Sequence, residues 1–414
     1  MTPRLILVGL VALAAAGCGG GGEAGKEDAD RKLGPEAQKA LDELDAAAAP
    51  ADPAAAVAEL LSERARALEA ADGRSLTATA TGTQRALDRR SARRAKRLAI
   101  ERIRFVPEAV ETSGDRAKVT VTMSYRVRGM SRPFVTGRRI VARKLAAGWR
   151  VTRDSPRSEP LPWEVAAFEA TREPHVVLLT APRVDAAPLR AGLAEAYRKI
   201  QRDLPARDLP RSVLVIAARD AAQTERLAGP IAKGVVALAN VRVDFGSAPA
   251  LRVERVLAQR MIVVDSLWST LSPVERQSTL VHEMTHTALN ADTSGRTPPW
   301  LVEGVAMYVS GDDRSEEARL RATGLGPTMN LRQLCKPDSI FRMGARDQGA
   351  AYAASSAAAE QIVARRGSKA LFRLYDAFND PAIRGRTCAA TTDRAMRRTV
   401  DMSLAELEAA ISGG

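Results

Sequence analysis

Two of the chain's three histidines stand four residues apart, in His282-Glu283-Met284-Thr285-His286. No other feature of the 414 residues constrains the fold as strongly. On an α-helix, positions i and i+4 project from one face. Both imidazoles can therefore bind one metal ion as neutral nitrogen ligands. The flanking residues predict that helix. Ser272-Pro273-Val274-Glu275 supplies an N-cap, a proline in the first turn and a capping-box glutamate. The helix should run to about Leu289. Glu283 lies one residue round, beside the metal and not on it, which suits a general base acting on a metal-bound water.

A catalytic zinc takes three protein ligands and keeps one position open. Glu303 meets that need. It sits in Trp300-Leu301-Val302-Glu303-Gly304-Val305-Ala306, which reads as a second helix after a turn from Asn290 to Pro299. The pattern resembles the gluzincin metallopeptidases, and within them the small peptidase-MA-like branch. The likeness covers about residues 175–412, with its specific part at 282–303. It implies that His282, His286 and Glu303 bind one Zn²⁺ and that Glu283 activates water to hydrolyse a peptide or protein substrate. It also implies that Arg260–Asp265 is the edge strand to which an extended substrate adds its backbone. Tyr352, opening a helix in Gln348-Gly349-Ala350-Ala351-Tyr352, would stabilise the oxyanion; an ordinary core tyrosine is the competing reading. Tyr308, five residues after Glu303, points away from the metal. The chain departs from the family at Met307, where many gluzincins have an acid that orients a metal-binding histidine. Asp265, Asn290 or Asp292 would have to substitute. A zinc-binding pseudopeptidase is therefore an alternative, as is a binding lipoprotein whose N-terminal module is the working part. His175 is alone at a strand start and is assigned no role, and Trp300 reads as a core anchor.

The first residues read as an export signal. Arg4 precedes an apolar run from Leu5 to Ala16 that is too short to span a membrane. The ending Ala15-Ala16-Gly17-Cys18 resembles the lipobox of bacterial lipoproteins, with Ala15 where leucine is usual. This implies lipidation of Cys18 and anchoring at the outer face of a bacterial membrane; ordinary cleavage after Ala16, giving a secreted protein, is the alternative. Cys335 and Cys388 remain as an even pair in an oxidising compartment. A bridge between them would stabilise the fold by roughly 4 kcal/mol; two separate buried thiols are the other reading.

The remaining chain predicts an α+β protein. Residues 1–18 are the signal peptide and 19–52 a flexible tether. Residues 53–155 carry helical spacing over 54–71 and 83–99. They then carry strands over 101–111, 119–127, 134–146 and 148–154, with Val119, Val121, Met123, Tyr125 and Val127 alternating. This pattern looks like the nuclear-transport-factor-2-like roll, helices over a curved antiparallel sheet. Residues 156–173, rich in proline, read as a linker. Residues 174–414 form the metallopeptidase domain, a mixed sheet with the metal helix and a helical C-terminal part. Its strand candidates are His175–Ala181, Ser212–Ala217 and Arg260–Asp265.

Charge is uneven. The chain carries net +13, yet residues 85–153 alone hold 20 Lys+Arg against 5 Asp+Glu, a local +15. The rest is nearly neutral. A solvated face explains most of this excess, and attraction to anionic lipid or wall polymer is the functional reading. Aromatic residues at 4% argue against nucleic acid.

Overall fold

A computed structural model describes residues 10–11, 52–204, 209–229, 235–245, 251–311, 330–336, 340 and 345–412. Cys18 and tether residues 19–51 lie outside the described residues.

The N-terminal half opens with three helices, α1 (Pro53–Glu69), α2 (Gly73–Ala78) and α3 (Thr83–Leu98). Asp52 and Asp72 cap the first two through backbone N–H groups of the first turn. Four antiparallel strands follow as a meander, β1 (Ile100–Ser113), β2 (Arg116–Val127), β3 (Phe134–Leu145) and β4 (Gly148–Pro156). The alternating residues of β2, from Val119 to Val127, are all buried. Val57, Leu60 and Leu61 of α1 pack with Val119, Val121 and Ile140. Helices on an antiparallel sheet, followed by a mixed sheet, make the α+β class expected from the sequence.

Residues 156–173 are more than a connection. They hold a short helix, α4 (Pro162–Val165), and a strand, β5 (Glu169–Glu173). Proline ended the sequence reading too early here. Pro162 sits in the first turn of α4, where its missing N–H costs nothing, and Trp163 and Phe168 are buried at 1% and 0% exposure.

The chain continues through β6 (Val176–Thr180), α5 (Ala187–Asp203), β7 (Val213–Ala218), α6 (Ala221–Ala228), β8 (Ala237–Phe245) and β9 (Val253–Val264). The sheet order is Leu10–Val11, then β8-β9-β7-β6-β5; β9, β7 and β6 are mutually parallel, the β8–β9 and β6–β5 pairs are antiparallel, and Leu10–Val11 is parallel to β8. Arg260–Asp265 is thus not an edge strand. Residues 260–264 lie inside the sheet, between β7 and β8, and Asp265 begins the next helix. The edges are β5 on one side and, on the other, the two-residue strand Leu10–Val11, which pairs in parallel with Asn240 and Val241 of β8.

The inner strands are buried on both faces. Val176, Leu178, Val213, Val215, Met261 and Val263 enter one core with the C-terminal helices. Their neighbours Val177, Leu179, Leu214, Ile216 and Ile262 enter another, shared with Met123, Tyr125, Phe134 and Trp163 of the first half and the segment after it. Strict alternation across the pleat makes one sheet serve two cores.

The C-terminal helices are α7 (Asp265–Trp268), α8 (Pro273–Leu289), α9 (Pro299–Ser310), α10 (Ala345–Arg366), α11 (Ser368–Ala377), α12 (Cys388–Val400) and α13 (Leu404–Ser412). A disulfide joins Cys335 to Cys388 at the start of α12, with Cα atoms 5.8 Å apart.

Candidate metal centre

Helix α8 carries the two histidines into the interior. Its capping box is closed in both directions: the Glu275 N–H donates to Ser272 Oγ at 3.3 Å, and the Ser272 N–H donates to Glu275 Oε2 at 2.8 Å. From Ser278 to Leu289 every residue is buried. Gly192 of α5 allows the close approach on one side, since a Cβ there would lie 2.7 Å from Leu280 Cδ1. On the other side α9 returns beneath the histidines with Glu303 in its second turn.

Three ligand atoms converge. His282 Nε2 lies 3.0 Å from His286 Nε2 and 3.2 Å from Glu303 Oε2, and His286 Nε2 lies 3.4 Å from the same oxygen. A tetrahedral ion about 2.0–2.1 Å from each donor requires donors roughly 3.3 Å apart. The observed spacings fit that requirement. The residues are 2%, 8% and 1% exposed. His282, His286 and Glu303 therefore form a group that could hold a metal ion.

The electrostatics favour a cation. Burial alone would lower the His286 pKa, but the charge and hydrogen bond of Glu303, with the charge of Glu283, raise it above the ordinary imidazole value. Burial would raise the Glu303 carboxyl, yet the His286 charge and the hydrogen bonds from His282 and His286 hold it down at about 2. Both shifts express one demand: positive charge against the buried Glu303 carboxylate. A divalent cation meets it without a proton.

Glu283 is fully buried one residue round the helix, and its charge reaches both His286 and Tyr352. Tyr352 lies two turns into α10, and so does not open that helix. Its hydroxyl is inaccessible and, among the described residues, has no hydrogen-bond partner. Burial, then the charges of Glu303 and Glu283, push its pKa well above the ordinary phenol value. The group is thus a protonated donor under the charges of Glu303 and Glu283. Gly304 makes this placement possible. A Cβ at that position would run into the Ser355 carbonyl oxygen, so glycine lets α10 lie directly on α9.

The other sequence candidates sit as follows. Met307 is buried and offers no carboxylate. Asp265 heads α7, its carboxyl pKa raised by burial and by Asp185, and Asn290 is the C-cap of α8. Tyr308 packs part-buried against the core. His175 is exposed, stacks on Tyr197 at 4.2 Å and contacts the Arg211 carbonyl through Nδ1 at 3.1 Å. Trp300 is fully buried.

No family model matches the chain, and no curated protein matches it. One solved structure found by comparison is that of Rv3472, a function-unknown protein from Mycobacterium tuberculosis. It is 16% identical, covers 31% of this chain and 78% of its own, and has a TM-score of 0.22.

Two contributors escaped the sequence reading. Strand β8 lies outside the strand candidates of the sequence, although Val241, Val243 and Phe245 alternate with Asn240, Arg242 and Asp244. Gly304 stands in the sequence as part of a helical run, and a glycine inside an apolar helical run is itself a signal of close packing.

Proposed function

We propose that the protein is a zinc-dependent metallopeptidase. The observation that carries this reading is the buried triangle of His282, His286 and Glu303, with edges of 3.0–3.4 Å. Two imidazoles and one carboxylate are a donor set that suits zinc. Zinc held there would supply Lewis acidity toward a carbonyl and toward water. Glu283 accepts the proton of the attacking water and returns it to the leaving amine. Tyr352 donates its O–H to the oxygen on which negative charge develops. Leu10–Val11 pairs in parallel with β8, which supports the outer side of β8 as a place where an extended peptide backbone can hydrogen-bond.

Two substitutions test it. Glu283→Gln should abolish cleavage of a peptide library while one zinc per chain is retained, and His282→Ala should lose the zinc. A zinc-loaded wild type that cleaves nothing would leave the site a structural scaffold and overturn the enzyme reading.

We also propose export and lipid anchoring through Cys18. The Cys335–Cys388 disulfide supports an oxidising compartment. Exposed Arg104, Lys118, Arg139, Arg143 and Arg153 give the N-terminal half a basic surface that would favour anionic lipid or wall polymer. Loss of acyl labelling in Cys18→Ser tests the anchor.

A further inference from the structure

A pocket lies far along the chain from the metal triangle, between helix α3, the end of β4 and the turn into α4. Its floor is apolar, with Leu68, Leu76, Phe105 and Trp163 among the lining residues. Leu87, on the α3 side of the lining, remains 45% exposed.

Every carboxylate of the pocket already has a cation. Asp88 meets Arg64 at 2.7 Å, Asp154 meets Arg138 at 2.7 Å and Arg64 at 3.4 Å, and Glu164 meets Arg138 at 2.6 Å. Three further arginines, Arg90, Arg94 and Arg226, stand at the same pocket. Among the described residues none of them is paired with a carboxylate. Five arginines against three carboxylates leave the site at +2. The three are also gathered. Arg94 donates to the backbone carbonyls of Trp163 and Glu164 at 3.2 and 3.1 Å, and Arg226 donates to the same Glu164 carbonyl at 3.5 Å. Burial and the charges of Arg90, Arg226 and Arg93 lower the Arg94 pKa. Guanidiniums held together by carbonyls, with donor groups to spare, make a fork for carboxylate or phosphate oxygens.

We propose that this pocket binds a small amphipathic anion, an apolar chain carrying a carboxylate or phosphate head. Its head lies among Arg90, Arg94 and Arg226 and its chain runs over Leu76, Phe105 and Trp163. The inference goes beyond the peptidase reading and does not depend on it.

The full chain is titrated with dodecanoate and with dodecyl phosphate below their micelle concentrations, following tryptophan fluorescence or heat. Saturable one-to-one binding of either or both is expected; which of them binds identifies the head. Arg226→Gln, an exposed position, and Arg94→Gln should each weaken binding roughly tenfold with zinc content and melting temperature held. Four results would each overturn the proposal. These are no saturable binding of either probe, equal binding by dodecanol, equal binding by inorganic phosphate alone, and unchanged affinity in both arginine variants.

Discussion

At the residue scale the site turns on protons. On the proposed peptidase reading, the buried hydroxyl of Tyr352 serves at one moment, when an oxygen near it becomes negative. Tyr352→Phe should then lower kcat by roughly 10²-fold, with KM and zinc content nearly unchanged; steady-state kinetics beside metal analysis reads this directly. The histidine pair gives a pH signature. In the metal-free protein the raised His286 pKa means that its stabilisation is full below the ordinary value of 6.5 and fades as pH rises through the raised value. Glu303, held down at about 2, contributes above its ordinary 4.5 and loses that contribution as pH falls toward 2. Zinc, the ion proposed for this site, would reverse the first of these, because it needs His286 neutral. The gap in melting temperature between zinc-loaded and metal-free protein should therefore widen from pH 6 to pH 8. A constant gap would mean that zinc displaces no proton from this pair.

At the element scale the decisive contact is helix α9 on helix α10. Gly304→Ala would place a methyl group against the Ser355 backbone carbonyl. A backbone cannot rotate aside as a side chain can, so the helices must part, at a cost of about 1–3 kcal/mol. Thermal unfolding should show the loss, and metal affinity should fall with it because Glu303 rides on the same helix. This contact also marks where sequence reading ends. Helix α8 was legible because its signals are local: Ser272, Pro273 and Glu275 act within one turn. The metal triangle was legible because its chemistry demands a third ligand and Glu303 stands in the next helical run. Strand β8 and the order of the second sheet depend on pairing between distant segments. Arg260–Asp265 carried no local sign that its residues 260–264 would have neighbours on both sides. Trp163 and Phe168, set among prolines, looked like linker because only the folded sheet provides the apolar face they fill.

At the scale of the whole molecule, the net charge of +13 describes neither half. The N-terminal half turns a basic surface outward while burying Arg64 and Arg138 in ion pairs. The two halves are joined by more than sequence. Along β7, Val213, Val215 and Ala217 belong to the core around helix α8, whereas Leu214 and Ile216 belong to the core shared with the first half. A slip of one residue would exchange the two sets. Neither core can melt while the other keeps its register. Scanning calorimetry of the full chain should accordingly record a single endotherm, and two resolved transitions would contradict the shared sheet. Evolution meets the same restriction as heat does. A module bound in this way cannot be lifted out and spliced elsewhere, so substitutions in the two halves must be accepted or refused together.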